Sequence, residues 1–232
     1  MKKILIIGVI VLSIFLIYLT TIDKKVYFLS LGDQINLGQT KEGKYEKNHN
    51  DYVKEYLEKN NKLEIYINDY VTNGYRITDI INDINNNKEI EESKKTIKNT
   101  LIKADLLIIS IGTNDVTALI DNINKFTNID YNKIYKNINK IVLDLDKLLK
   151  IIREYCKEDI ILIGININTT DEKINEIIEF ANQKFKETSE KYNIEYINQY
   201  TKTKEIKIYP TKEEYGEIGN KIIDIINNNL LK

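Results

Sequence analysis

The sequence predicts a three-layer α/β/α sandwich around a five-stranded parallel sheet. Three observations predict it. Short β-branched runs alternate five times with longer amphipathic ones. Two of the short runs, 104–111 and 159–165, are apolar without alternation, as strands covered on both faces must be. Three of the chain's nine glycines, Gly32, Gly74 and Gly112, fall just after the first three short runs.

The strands are expected over KVYFLSL (25–31), KLEIYIN (62–68), ADLLIISI (104–111), DIILIGI (159–165) and IEYIN (194–198). Between them, NDYVKEYLEKN (50–60) and ITDIINDI (77–84) have helical spacing, and a short helix is expected near 91–102. Residues 131–156 repeat apolar side chains at i, i+3, i+4 and i+7 over several turns. Thr170-Asp171 can cap a helix over 171–191, and a last helix runs over 211–230. Right-handed crossovers make the sheet parallel. The asparagine runs at 85–87 and 227–229 have loop and helix-end composition.

Composition removes several function classes. A net charge of −1, with lysines and acids mixed along the whole chain, leaves no basic footprint for nucleic acid. One cysteine, Cys156, in a helical pattern, allows no internal disulfide and no cysteine metal cluster. One histidine, His49, excludes the common His-rich zinc sites. No cofactor and no metal are expected. His49 lies in the polar stretch KYEKNHNDY and reads as a solvated loop residue.

Residues 4–22, ILIIGVIVLSIFLIYLTTI, carry no charge. As a helix they would rise about 28 Å, close to the hydrocarbon thickness of a bilayer. Lys2 and Lys3 precede them, and the segment ends in IYLTTIDKK without a small-residue cleavage site. An uncleaved signal anchor fits better than a cleaved signal peptide, whose apolar region is shorter. The expected organisation is a membrane anchor over residues 1–23 and one domain over residues 24–232. A very short tail before the span favours a single-pass cell-membrane protein with its domain on the extracytoplasmic side; Lys24 and Lys25 balance Lys2 and Lys3, so charge alone decides little.

In open parallel sheets, ligands bind outside the carboxyl ends of the strands. The loops there read LGDQINLG, DYVTNGY and IGTNDV. Together they resemble the SGNH, or GDSL, hydrolase superfamily of lipases and esterases, a flavodoxin-like fold, from about residue 26 to the end. The family's first block, Gly-Asp-Ser, corresponds to Gly32-Asp33-Gln34. Its second block supplies an oxyanion-hole glycine, matched by Gly74 in Asn73-Gly74-Tyr75. Its third, Gly-x-Asn-Asp, is Gly112-Thr113-Asn114-Asp115, whose asparagine completes the oxyanion hole. Its fifth, Asp-x-x-His-Pro before a helix, aligns with Ile206-Lys207-Ile208-Tyr209-Pro210, with Tyr215 in the helix that follows.

The departures all fall on the triad that the resemblance implies. Gln34 stands at the nucleophile, Tyr209 at the base and Ile206 at the acid. Acyl transfer needs a hydroxyl activated by an oriented base. An amide is not acylated and turned over, a phenol of reference pKa near 10 is a poor base at neutral pH, and isoleucine orients nothing. The resemblance therefore implies a pseudoenzyme that keeps Gly74 and Asn114 as oxyanion-type donors for an acyl or acetylated-glycan ligand. Gly32, Asp33, Gly112 and Asp115 would support the loops. Two alternatives stay open: an active esterase or acylhydrolase with a non-standard nucleophile, and a structural surface protein whose pocket is filled by the Gln34 and Tyr209 side chains.

Overall fold

The computed structural model describes residues 25–123, 131–199 and 207–229. The predicted membrane span, residues 4–22, lies outside the described residues, as does Ile206. Among the described residues no helix is long and apolar enough to cross a membrane.

Five strands form one sheet: β1 (Val26–Gly32), β2 (Leu63–Ile67), β3 (Leu106–Ser110), β4 (Asp159–Ile163) and β5 (Glu195–Ile197). Their spatial order is β2-β1-β3-β4-β5, and every pair is parallel. The helices are α1 (His49–Lys59), α2 (Ile77–Asn85), α3 (Ile97–Lys103), α4 (Thr113–Ile123), α5 (Tyr131–Tyr155), α6 (Glu172–Glu190) and α7 (Lys212–Asn229).

The period-2 geometry of a strand sorts the side chains into two apolar layers. Tyr27, Leu29 and Leu31 of β1, Leu107 and Ile109 of β3, and Ile160 and Leu162 of β4 face the core built with α2 to α6. Their neighbours Val26, Phe28, Leu106, Ile108, Ile161 and Ile163 face a smaller core. That second core is closed by Val53 and Leu57 of α1 and by Ile218, Ile222 and Ile226 of α7. Two covered faces explain why β3 and β4 read as unbroken apolar runs.

Three expectations need correction. The short third helix begins at Ile97 rather than near residue 91, because the chain first makes a turn. Glu89 bridges Thr96, the Ile90 N–H donates to the Lys95 carbonyl at 2.9 Å, and Lys94 has a φ of 55°. Helix α4 has no counterpart among the expected elements: its opening Thr-Asn-Asp reads as turn chemistry. His49 is no loop residue. It opens α1 behind an Asn48 cap, whose side chain accepts from the Asn50 and Asp51 N–H groups, and its side chain is fully buried.

Candidate functional site

The three glycine loops come together at the carboxyl ends of β1, β2 and β3. Gly32 has a φ of 143°, and a Cβ there would meet the Ser110 carbonyl oxygen at 2.0 Å. Only glycine lets β1 turn this tightly against β3. The turn is then held at both ends. The Asp33 N–H donates to the Ser110 carbonyl at 3.1 Å, and the Thr72 N–H donates to the Gly32 carbonyl at 3.0 Å. Asp33 folds its carboxylate back to accept from the Ile35 N–H at 3.0 Å.

This geometry delivers Gln34 into the space between the other two loops. Its amide oxygen accepts from the Gly74 N–H at 3.0 Å and from Asn114 Nδ2 at 3.0 Å. These are the two donors that the resemblance assigns to an oxyanion hole. Gln34 Nε2 in turn donates to Asn114 Oδ1 at 2.9 Å, and Gln34 is only 3% exposed. A neutral amide of the protein's own chain thus takes the position that the resemblance would give to a reacting carbonyl oxygen.

The donors are set by their own loops. Gly74 has a φ of 81°, with open space where a Cβ would be, so its conformation rather than crowding calls for glycine. Asn114 lies in the first turn of α4, just after Gly112, whose carbonyl accepts from the Val116 N–H at 3.0 Å. Asn114 Nδ2 also donates to the Tyr75 carbonyl at 2.8 Å and lies 3.5 Å from Asp33 Oδ2. Asp115 Oδ2 accepts from the Ile77 N–H at 3.2 Å, which ties α4 to the first turn of α2. Lys88 adds a brace, donating to the Tyr75 hydroxyl at 2.8 Å and to Asp83 at 2.9 Å.

Two carboxyl groups titrate high here. Burial pushes Asp33 up to about 7, with the neighbouring Asp115 adding to it and the Ile35 N–H opposing. Burial also raises Asp115 to about 6, opposed by the Ile77 N–H and the Arg76 charge.

Tyr209 sits half-buried in the loop before α7. That loop is held by Lys207, whose backbone pairs with Asn168 at 2.7 and 2.9 Å, and by the buried Pro210. Thr211 and Glu214 form a reciprocal cap: the Thr211 N–H donates to Glu214 Oε2 at 2.7 Å and the Glu214 N–H donates to Thr211 Oγ1 at 3.3 Å. Tyr209 lines a groove of about 630 Å³ with Ile208, Pro210 and the hairpin at Thr40–Glu46. Gln34, Gly74 and Asn114 do not line it.

His49, the one histidine, lies behind the Gln34 turn. Its Nε2 is 2.8 Å from Asn36 Oδ1, and Asn36 Nδ2 donates to the Leu31 carbonyl at the end of β1. Its ring stacks on Tyr215 at 5.9 Å, and burial pushes it down to about 3. It is a neutral packing residue that holds the turn. Its place is legible in one signal: His49, Val53 and Leu57 recur every four residues, so the ring belongs to the buried stripe of α1.

Neither a family sequence model nor a curated protein sequence matches the chain. Solved structures do. A lipase from a goat rumen metagenome superposes with a TM-score of 0.67 at 18% identity, over 85% of this chain and 95% of that one. The acetylxylan esterase Axe2 of Geobacillus stearothermophilus superposes at 0.63 and 16% identity, over 88% and 95%. A variant of that esterase with one tryptophan replaced by isoleucine is similar at 0.62 and 16%, over 91% and 99%. At such identities the likeness is one of fold.

Proposed function

Because the chain has the fold of the SGNH/GDSL hydrolases, we propose that it is a non-hydrolytic member of that fold, a pseudoenzyme held at the outer face of a membrane by residues 4–22. One observation carries the loss of chemistry: the Gln34 amide oxygen accepts from both the Gly74 N–H and Asn114 Nδ2. An ester carbonyl would have to displace that amide, and would then find no hydroxyl at position 34 to attack it. The lone histidine is packed away from the site with its Nε2 at Asn36. What remains is a binding or organising protein whose former reaction centre is a structural clasp. Its ligand is a small molecule or a glycan ester at the cell surface, and its chemistry calls for no cofactor and no nucleic acid.

The test is ester hydrolysis by the purified full-length chain, with p-nitrophenyl acetate and butyrate, beside an Asn114→Ala variant. Background hydrolysis, unchanged by the substitution, is the expected result. Turnover at ordinary enzyme rates of about 1–10³ s⁻¹, lost in the variant, overturns the reading. Anchoring is tested separately by alkaline washing of membranes and by protease added to intact cells. The chain should stay with the membrane and its domain should be digested; recovery in the wash overturns the anchor.

A further inference from the structure

We propose that the groove between the Thr40–Glu46 hairpin and the loop before α7 binds a neutral oligosaccharide, with the Tyr209 ring as its stacking face. This rests on the non-hydrolytic reading above and deepens it by moving ligand recognition away from the filled oxyanion donors.

Shape and chemistry agree. At about 630 Å³ the groove falls within the range of small-molecule sites. The wall before α7 offers Ile208, Tyr209 and Pro210 between Lys207 and Lys212, and the hairpin wall offers polar and charged side chains. The lining charges nearly balance: Lys41 and Lys212 are set against Glu42 and Glu46, and the third lysine, Lys207, is paired to Glu214 of α7. Such a groove gives no field to steer a polyanion or a polycation. It suits a ligand with an apolar face and a rim of neutral donors and acceptors, which describes a sugar ring. Tyrosine supplies the matching combination of flat apolar body and polar tip.

The walls are built before any ligand arrives. The hairpin is closed by the Thr40 N–H on the Lys44 carbonyl at 2.8 Å and by the Glu46 N–H on the Gly38 carbonyl at 2.9 Å. The opposite wall is fixed by Pro210 and the Thr211–Glu214 cap. A direct tie sets the spacing between the walls. Tyr215 of α7, fully buried, donates its hydroxyl to the Gln39 carbonyl at the root of the hairpin, at 3.0 Å. A site that need not be ordered on binding loses less affinity to conformational entropy. Tyr45, on the same hairpin, is 54% exposed and its hydroxyl lies 3.5 Å from Asn73 Nδ2, so an aromatic ring also stands between the groove's hairpin and the Gly74 loop.

The experiment is calorimetric titration of the full-length chain, in a detergent without a sugar headgroup, with xylohexaose, cellohexaose, chitohexaose and maltohexaose. At least one should bind saturably. Tyr209→Ala should weaken that binding about tenfold, which corresponds to 1.4 kcal/mol. Tyr209→Phe, which keeps the ring, should stay within about threefold and guards against an alanine variant that fails to fold. Binding lost on Asn114→Ala but kept in Tyr209→Ala would place the ligand at the oxyanion donors and overturn the groove. No saturable binding by any of the four sugars overturns it as well. Neither result touches the ester assay, so failure here and failure of the non-hydrolytic reading are told apart.

Discussion

Gln34 and Asn114 present their side-chain amides to each other as a reciprocal pair. Gln34 Nε2 donates to Asn114 Oδ1 at 2.9 Å, and Asn114 Nδ2 donates to Gln34 Oε1 at 3.0 Å. The pair joins the turn after β1 to the first turn of α4, and the Gly74 N–H brings in the loop after β2. A residue at the position that the resemblance gives to a nucleophile could point idly at solvent. This one knits three loops together.

Coupling between the two residues should therefore be measurable. Gln34→Ala and Asn114→Ala should each destabilise the fold by about 1–3 kcal/mol, since each strands a partly buried polar partner. The double variant should cost less than the sum by about 0.5–3 kcal/mol. Urea unfolding of the four proteins gives the cycle. Additivity to within about 0.3 kcal/mol would show that the pair shares no energy.

Placing a hydroxyl at position 34 should not create an enzyme. Gln34→Ser frees the Gly74 and Asn114 donors but supplies no base. His49 is fully buried and its Nε2 is engaged by Asn36, which in turn donates to the Leu31 carbonyl. Hydrolysis of p-nitrophenyl acetate by this variant should rise no further than freed oxyanion donors can carry it. Oxyanion donors alone can give about 10³–10⁴-fold over water, far below a working triad. A rate well beyond about 10⁴-fold over water would reveal a base elsewhere.

The scaffold is legible in the sequence because its signals are local and periodic. Unbroken apolar runs mark β3 and β4, and the Gly-x-Asn-Asp stretch marks the loop that presents Asn114. The rest depends on long-range placement. No periodicity says that the Gln34 amide will turn inward, since that follows from where β2 and β3 deliver Gly74 and Asn114. Helix α4 is hidden because Thr113, Asn114 and Asp115 favour turns in isolation, and here Asp115 finds its partner at Ile77, on another helix. His49 reads as a loop residue because its polar neighbours in KYEKNHNDY outweigh its four-residue spacing to Val53 and Leu57. The wall of the groove that carries Tyr209 is readable only as a position in an alignment. Its distance from Gln34 along the chain hides the hairpin it faces.

His49 should behave as a core residue. His49→Ala removes a ring packed on Tyr215 and leaves Asn36 Oδ1 without its partner, although Asn50 Nδ2 still lies 3.2 Å from that oxygen. A loss of about 2–4 kcal/mol is expected in urea unfolding. As the only histidine, it gives a single set of imidazole signals in proton NMR. Burial pushes its pKa down to about 3, so those signals should not titrate between pH 8 and 4.5. Titration near 6.5 would mean that the ring is solvated and that the turn is held by something else.

Asp33 should couple stability to pH in a direction opposite to that of an ion-paired carboxylate. Its folded pKa is raised to about 7, above the usual carboxylate value of 3.8. Between those values the folded state keeps a proton that the unfolded chain releases. The associated stability is fully present below about pH 4 and is lost as pH rises through 7. Asp33→Asn cannot ionise, and its amide oxygen can still accept from the Ile35 N–H. The variant should gain on the parent as pH is raised from 4 to 7.5, by at most about 4 kcal/mol at 1.36 kcal/mol per unit. Asp115 and His49 are present in both proteins, so their contributions to the pH dependence largely cancel in the difference. Urea unfolding of both proteins at half-unit pH steps gives the curve. A flat difference would mean that Asp33 is ionised throughout, and a gain toward low pH would mean that its carboxylate is stabilised by the Asn114 amide and the Ile35 N–H more than burial penalises it.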